Sequence, residues 1–204
     1  MPDCRFFETL APISVGEAVR IAGAELVSGD ENAKLARAAS LEDAFGEADL
    51  IYCDKPASLA ALSGRRFGLC FASSPPADAA GGAVAITANP RLAFALTAAR
   101  LHRPRPAGNR MRKTPPGAMI ADAAFVDETA EIAEGVVIGP HAYVGPGVVI
   151  GAGAEIADSV SLSHAIIGEG VRILPGARIG QSGFGFVEGP SGIVGVPQLG
   201  RVII

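Results

Sequence analysis

From Ile120 onward an aliphatic residue returns at every sixth position: Ile120, Val126, Ile132, Ile138, Val144, Ile150, Ile156 and Leu162, then, after a one-residue slip, Ile167, Ile173 and Ile179. Four places after each stands a small or aliphatic residue, as at Ala124, Ala130, Val136, Ala142, Val148, Ala154 and Val160. A period of six fits neither the 3.6 of a helix nor the alternation of an ordinary strand. It fits a coil with three short flat faces, in which the aliphatic side chain points inward and stacks on its equivalent one turn away. Gly139, Gly145 and Gly151 follow their aliphatic partners directly, where the backbone must bend. The pattern predicts a left-handed parallel β-helix of hexapeptide repeats over residues 118–204. The pairs Gly145-Pro146-Gly147 and Gly151-Ala152-Gly153 superficially suggest a nucleotide loop, but they recur in phase with the ladder and no helical pattern follows them.

Residues 1–101 have a different texture. Ser14 and Glu17 stand three apart before an apolar run, the spacing of a capping box, and predict a helix start. Leu50–Cys53, Gly68–Phe71 and Val84–Ile86 read as short strands, and Asn89-Pro90 opens a helix in which Leu92, Ala95, Leu96 and Ala99 share a face. A small α/β domain is expected here. Residues 102–117 hold four prolines and five basic side chains without apolar periodicity, which predicts an extended linker.

The composition, 49% hydrophobic with 26 Gly, 15 Pro and no Trp, is ample for buried cores and too rich in turn formers for a helical bundle. A net charge of -4 gives no overall attraction to nucleic acid or anionic lipid. Cys4, Cys53 and Cys70 form neither a disulfide framework nor a metal motif and read as reduced thiols. No stretch approaches the length of a membrane span, so a cytoplasmic protein is expected.

After Ile179 the hexads give way to Gly180-Gln-Ser-Gly-Phe-Gly-Phe186, and then to Val196-Pro-Gln-Leu-Gly-Arg-Val-Ile-Ile204. With Ala39-Ser40-Leu41, Asp49-Leu50 and Asn89-Pro90-Arg91 upstream, this combination resembles the UDP-3-O-(3-hydroxyacyl)glucosamine N-acyltransferases of lipid A biosynthesis over essentially the whole chain. The resemblance implies a homotrimer that moves a 3-hydroxyacyl chain from acyl carrier protein to the 2-amino group of UDP-3-O-(3-hydroxyacyl)glucosamine. The acyl group arrives on the carrier's phosphopantetheine and no cofactor is expected. It further implies that the general-base histidine lies beyond Ile204, that residues 118–204 are an incomplete catalytic β-helix, and that this chain alone is inactive.

In that family the first domain grips uracil between aromatic rings in a stretch matching Leu50–Leu59. Tyr52 falls at an aromatic position, Lys55 stands where Asn is usual, and Ser58 where the second ring is usual. Tyr52 and Lys55 are the nucleotide-side candidates, with partly buried packing the competing reading for Tyr52. Gln181, Gly183, Phe184, Gly185, Phe186 and Gln198 are the candidates around the interruption of the hexads, where outward aromatics suit an acyl-chain or sugar site. Ser182 replaces a usual Asp.

His102 lies at the linker, and His141 and His164 read as solvated turn residues; the three form no metal motif. Arg103, Arg105, Arg110, Arg112 and Lys113 read as a solvated basic stretch, with steering of an acidic carrier protein as the alternative. Two other functions fit the ladder alone: a non-catalytic β-helix scaffold, and another sugar-nucleotide acyltransferase using acetyl-CoA.

Overall fold

The computed structural model describes residues 2–55, 60, 62, 64–76 and 81–204. It divides into two compact units, one built on Glu8–Arg103 and Phe184–Leu199, the other on Asp3–Phe7, Pro104–Gly183 and Gly200–Ile204.

The first unit holds short β1 (Phe7–Thr9) from Glu8 onward, β2 (Ile13–Ser14), helix α1 (Val15–Ala22), β3 (Glu25–Ser28), β4 (Lys34–Leu35), β5 (Arg37–Ala38), β6 (Asp49–Cys53), β7 (Arg66–Ala72), β8 (Gly81–Ile86), α2 (Pro90–Leu101) and β9 (His102–Pro104) as far as Arg103. The helix starts as expected with Ser14 as its cap, Oγ accepting the Glu17 N–H at 3.1 Å, but the Glu17 carboxylate pairs with Arg100 at 3.5 Å; Gly23, left-handed at φ 59°, ends α1. A five-stranded sheet runs β3-β8-β7-β6-β5, parallel except for β3 against β8. Strands buried on both faces read as near-continuous apolar runs, which is why Phe67–Ala72 and Leu50–Cys53 carry so few polar residues. One face packs on Leu50, Leu69, Phe71 and Ala85 with α1 and α2; the other holds Ile51, Cys53, Phe67 and Cys70. The three cysteines are unbridged.

Helix α2 differs from its expected face. Its buried side chains are Pro90, Ala93, Phe94, Ala95, Thr97, Ala98 and Leu101, so Leu92 and Leu96 are only half-buried and Ala99 is exposed. Thr97 enters the core because its hydroxyl donates to the Ala93 carbonyl one turn back at 2.8 Å.

In the second unit twelve two- or three-residue strands stack in three parallel sheets. They are β10 (Met119–Ile120), β13 (Val137–Ile138), β16 (Glu155–Ile156) and β19 (Arg172–Ile173) on one face. β11 (Phe125–Val126), β14 (Tyr143–Val144), β17 (Ser161–Leu162) and β20 (Arg178–Ile179) form the second. β12 (Glu131–Ile132), β15 (Val149–Ile150), β18 (Ala165–Ile167) and β23 (Val202–Ile203) form the third. Pairing of Ile120 with Ile138 and of Ile138 with Ile156 gives the expected left-handed β-helix with three hexads per turn. The slip after Leu162 is absorbed by β18, which pairs Ile150 with Ile167, so the inward series continues. Each buried aliphatic side chain contributes roughly 1.5–3 kcal/mol of gross burial energy, and Ile138, Val144, Ile150, Ile156 and Leu162 are essentially inaccessible to water.

The chain leaves the coil after Ile179, forms the antiparallel hairpin β21 (Phe186–Gly189) and β22 (Gly192–Gly195), and rejoins the third face at β23, where Ile203 pairs with Ile166. The departure requires glycine: Gly180 has φ 74°, and a Cβ there would meet the Ser163 carbonyl oxygen at 1.5 Å.

Two boundary expectations change. The hairpin, expected in the β-helix region, belongs to the α/β unit: Asn89 Nδ2 donates to the Glu188 carbonyl at 3.5 Å, and Leu199 packs on the α/β core. The proline-rich stretch 102–117 is not a free linker either. His102 is buried in β9, and Asn109–Met111 run against the first coil, with the Met111 N–H on the Val126 carbonyl at 2.7 Å. The anchor is Asp127, fully buried, which accepts from the Gly108 N–H at 2.7 Å, the Thr129 N–H at 2.9 Å and the Thr129 hydroxyl at 2.6 Å. Burial raises its pKa, but these donors outweigh that and hold the carboxyl below its usual range.

Candidate substrate site

The residues singled out around the glycine-aromatic loop divide at Gly183. Gln181 and Gly183 belong to the β-helix unit, while Phe184, Gly185, Phe186 and Gln198 belong to the α/β unit. Within the latter, the loop is held by the Val196 N–H, which donates to the Gly185 carbonyl at 2.7 Å. Gly185 lies beside Gln198 and Arg91: a Cβ at Gly185 would sit 3.6 Å from Gln198 Nε2 and 3.8 Å from an Arg91 guanidinium nitrogen. Phe184 and Phe186 are not core fillers. They are 94% and 54% exposed, with ring centroids 6.4 Å apart at 60°. Two unburied aromatic rings on a glycine-flanked loop are an apolar surface suited to an acyl chain or sugar face.

Tyr52 is half-buried between buried Ile51 and Cys53 of β6, its ring centroid 5.0 Å from Phe94 of α2 at a tilt of 45°. The ring thus packs against α2. Lys55 is exposed just past β6. Ser58 lies outside the described residues.

Arg91, beside Gly185, ends the Asn89-Pro90-Arg91 triplet. That triplet fixes it in the first turn of α2, where Asn89 Oδ1 accepts the Leu92 N–H at 3.0 Å and Pro90 occupies the first helical position.

The histidines divide by environment. His102 Nε2 accepts the Ala38 N–H at 3.1 Å, which leaves Nδ1 protonated and 3.4 Å from the Thr9 hydroxyl; burial lowers its pKa. His164, expected as a solvated turn residue, is instead half-buried, stacked on Phe7 at 4.9 Å, with Nδ1 donating to the Gly180 carbonyl at 3.1 Å. Its φ of 46° is tolerated because that bond and the ring stack hold it. His141 is an exposed corner residue at φ 58°. Three of the five basic side chains of the proline-rich stretch are engaged: Arg103 with Glu8 at 2.6 Å, Arg105 on the Cys4 carbonyl at 2.9 Å, and Arg110 on the Asp122 carbonyl at 2.7 Å. Among the described residues no group of three potential metal ligands converges, and no helix is long and apolar enough to cross a membrane.

These features define the class: a hexapeptide-repeat, left-handed β-helix protein with an α/β unit that carries an aromatic loop. The family model described as the GMPPB C-terminal domain matches residues 120–183, the coils alone. Three proteins named UDP-3-O-acylglucosamine N-acyltransferase align with the whole chain. That of Caulobacter sp. (strain K31) is 36% identical and that of Caulobacter vibrioides (strain NA1000 / CB15N) 38%, each with 62% of its own length covered. The Methylobacterium sp. (strain 4-46) protein is 40% identical with 63% of its length covered. The chain is similar over its full length to these proteins named UDP-3-O-acylglucosamine N-acyltransferase and spans about 62% of their length.

Proposed function

We propose that this chain supplies the substrate-recognition unit and the first coils of an N-acyltransferase that transfers a 3-hydroxyacyl chain from acyl carrier protein to the 2-amino group of UDP-3-O-(3-hydroxyacyl)glucosamine, a cytoplasmic step of lipid A assembly carried out by a homotrimer. The observation that carries the reading is the end-to-end likeness to proteins of that name, at 36–40% identity. The exposed Phe184–Phe186 pair within that likeness supports it, because an acylated sugar needs an apolar surface beside a polar one.

In the reaction the sugar amine attacks the thioester carbonyl, the C–N bond forms, the C–S bond breaks, and the thiol leaves on the carrier. The amine proton goes to a general base, and the developing oxyanion needs a hydrogen-bond donor. His102 and His164 are unsuited as that base, since both ring nitrogens of His102 face partners in the core and His164 is held by Gly180 and Phe7. In this reading Tyr52 takes the uracil, Lys55 lies on the nucleotide side, and Gln181, Gly183, Phe184, Gly185, Phe186 and Gln198 take the acylated sugar.

Calorimetric titration tests the reading. The chain is expected to bind UDP-3-O-acylglucosamine, to ignore acetyl-CoA, and to show no turnover with acyl carrier protein donor by itself. Binding of acetyl-CoA with none of the acylated nucleotide-sugar would overturn it.

A further inference from the structure

We propose that Arg91 is the phosphate-holding residue of the α/β unit, taking the diphosphate of a nucleotide whose base lies against Tyr52; the proposal rests on the nucleotide-sugar reading above.

Arg91 is exposed, and among the described residues it makes no hydrogen bond or ion pair. Other arginines of the same unit are committed: Arg37 to Asp49, Arg65 to the Leu41 carbonyl, Arg100 to Glu17 and Arg103 to Glu8. A guanidinium nitrogen of Arg91 stands 3.8 Å from where a Cβ would lie at Gly185, the one position of the Phe184–Phe186 segment without a side chain. The bare backbone there leaves room for a ligand beside the five N–H donors of the guanidinium.

Helix α2 sets the order of groups. Arg91 and Phe94 are three residues apart and share a helical face. Phe94 carries Tyr52 on its ring, so the sequence along this surface is aromatic ring, then guanidinium, then the glycine-aromatic loop. A nucleoside diphosphate sugar has the same order: flat base, anionic diphosphate, sugar.

The main chain at the start of α2 is not the attraction. Pro90 has no N–H, the Leu92 N–H is taken by Asn89 Oδ1 at 3.0 Å, and the Ala93 N–H by the Asn89 carbonyl at 3.1 Å. The charge is therefore that of the side chain, whose planar fork matches two phosphate oxygens at once.

The test is calorimetric titration of the chain, Arg91→Gln and Arg91→Lys with UDP and with uridine at low salt. Arg91→Gln is expected to weaken UDP roughly tenfold while uridine changes by less than about twofold, with Arg91→Lys in between. Equal losses for both ligands, or an unchanged UDP affinity, would overturn the assignment while leaving the nucleotide reading standing. Independently of any variant, UDP affinity of the unaltered chain is expected to fall with added sodium chloride and uridine affinity to stay level; a salt-independent UDP affinity counts against Arg91. If the unaltered chain takes neither ligand, the nucleotide reading fails and the proposal with it.

Discussion

The backbone N–H of Ala38 donates to Nε2 of His102, 64 residues further along the chain, at 3.1 Å in a site closed to water. The bond exists only while Nε2 is unprotonated. Burial lowers the His102 pKa from the ordinary 6.5, so the unfolded chain takes up the proton first as pH falls. This contribution to stability is complete above about pH 6.5 and erodes as pH drops from there through the lower folded value. Thermal melts between pH 7.5 and 5 should show that decline. His102→Gln, which keeps an acceptor and cannot titrate, should cost about 1 kcal/mol at pH 7 and flatten the slope; an unchanged slope would point to other groups.

Asp49 loses its contribution in a more acid range. Burial raises its carboxyl, but the two-pronged contact with the Arg37 guanidinium and the Phe45 and Gly46 N–H groups, each at 3.0 Å, more than offset this and leave it below the ordinary 3.8. Its contribution is present above pH 3.8 and is lost as pH falls through the lower folded value. Asp49→Asn should destabilise the α/β unit by about 3 kcal/mol, because Arg37 loses its counter-charge in a largely buried setting. Urea titration monitored by circular dichroism reads this directly.

Within the coil, position rather than residue type decides the cost. Ile150 is wholly buried between Ile132 and Ile167, so Ile150→Ala should cost about 3 kcal/mol. Ile203 is 65% exposed, and Ile203→Ser should stay within about 0.5 kcal/mol. Similar losses for the two would mean that the inward register is wrong.

Phe184 is 94% exposed, so Phe184→Ser should leave the melting temperature unchanged. Under the proposed function it should weaken binding of UDP-3-O-acylglucosamine roughly tenfold and leave UDP binding alone, since only the acylated ligand needs the apolar ring. Calorimetry with both ligands separates the two outcomes.

By itself the sequence determined the coil, because a six-residue period with inward Ile and Val admits one packing and the one-residue slip after Leu162 is visible in the same register. It also determined the start of α1 through Ser14, and the resemblance to the N-acyltransferases through Gly183–Phe186 and Val196–Arg201, since these are local patterns. What required the tertiary structure was every relationship closed over a long stretch of chain. The Asn89 side chain meeting Glu188, Asp127 gathering Gly108, His102 reaching Ala38, and Arg91 standing beside Gly185 carry no periodicity and no fixed spacing. Polar side chains such as these choose partners by where the apolar cores have already placed them. Hence the hairpin belongs to the α/β unit and the proline-rich stretch is bound to the coil, although the order of residues alone suggested otherwise.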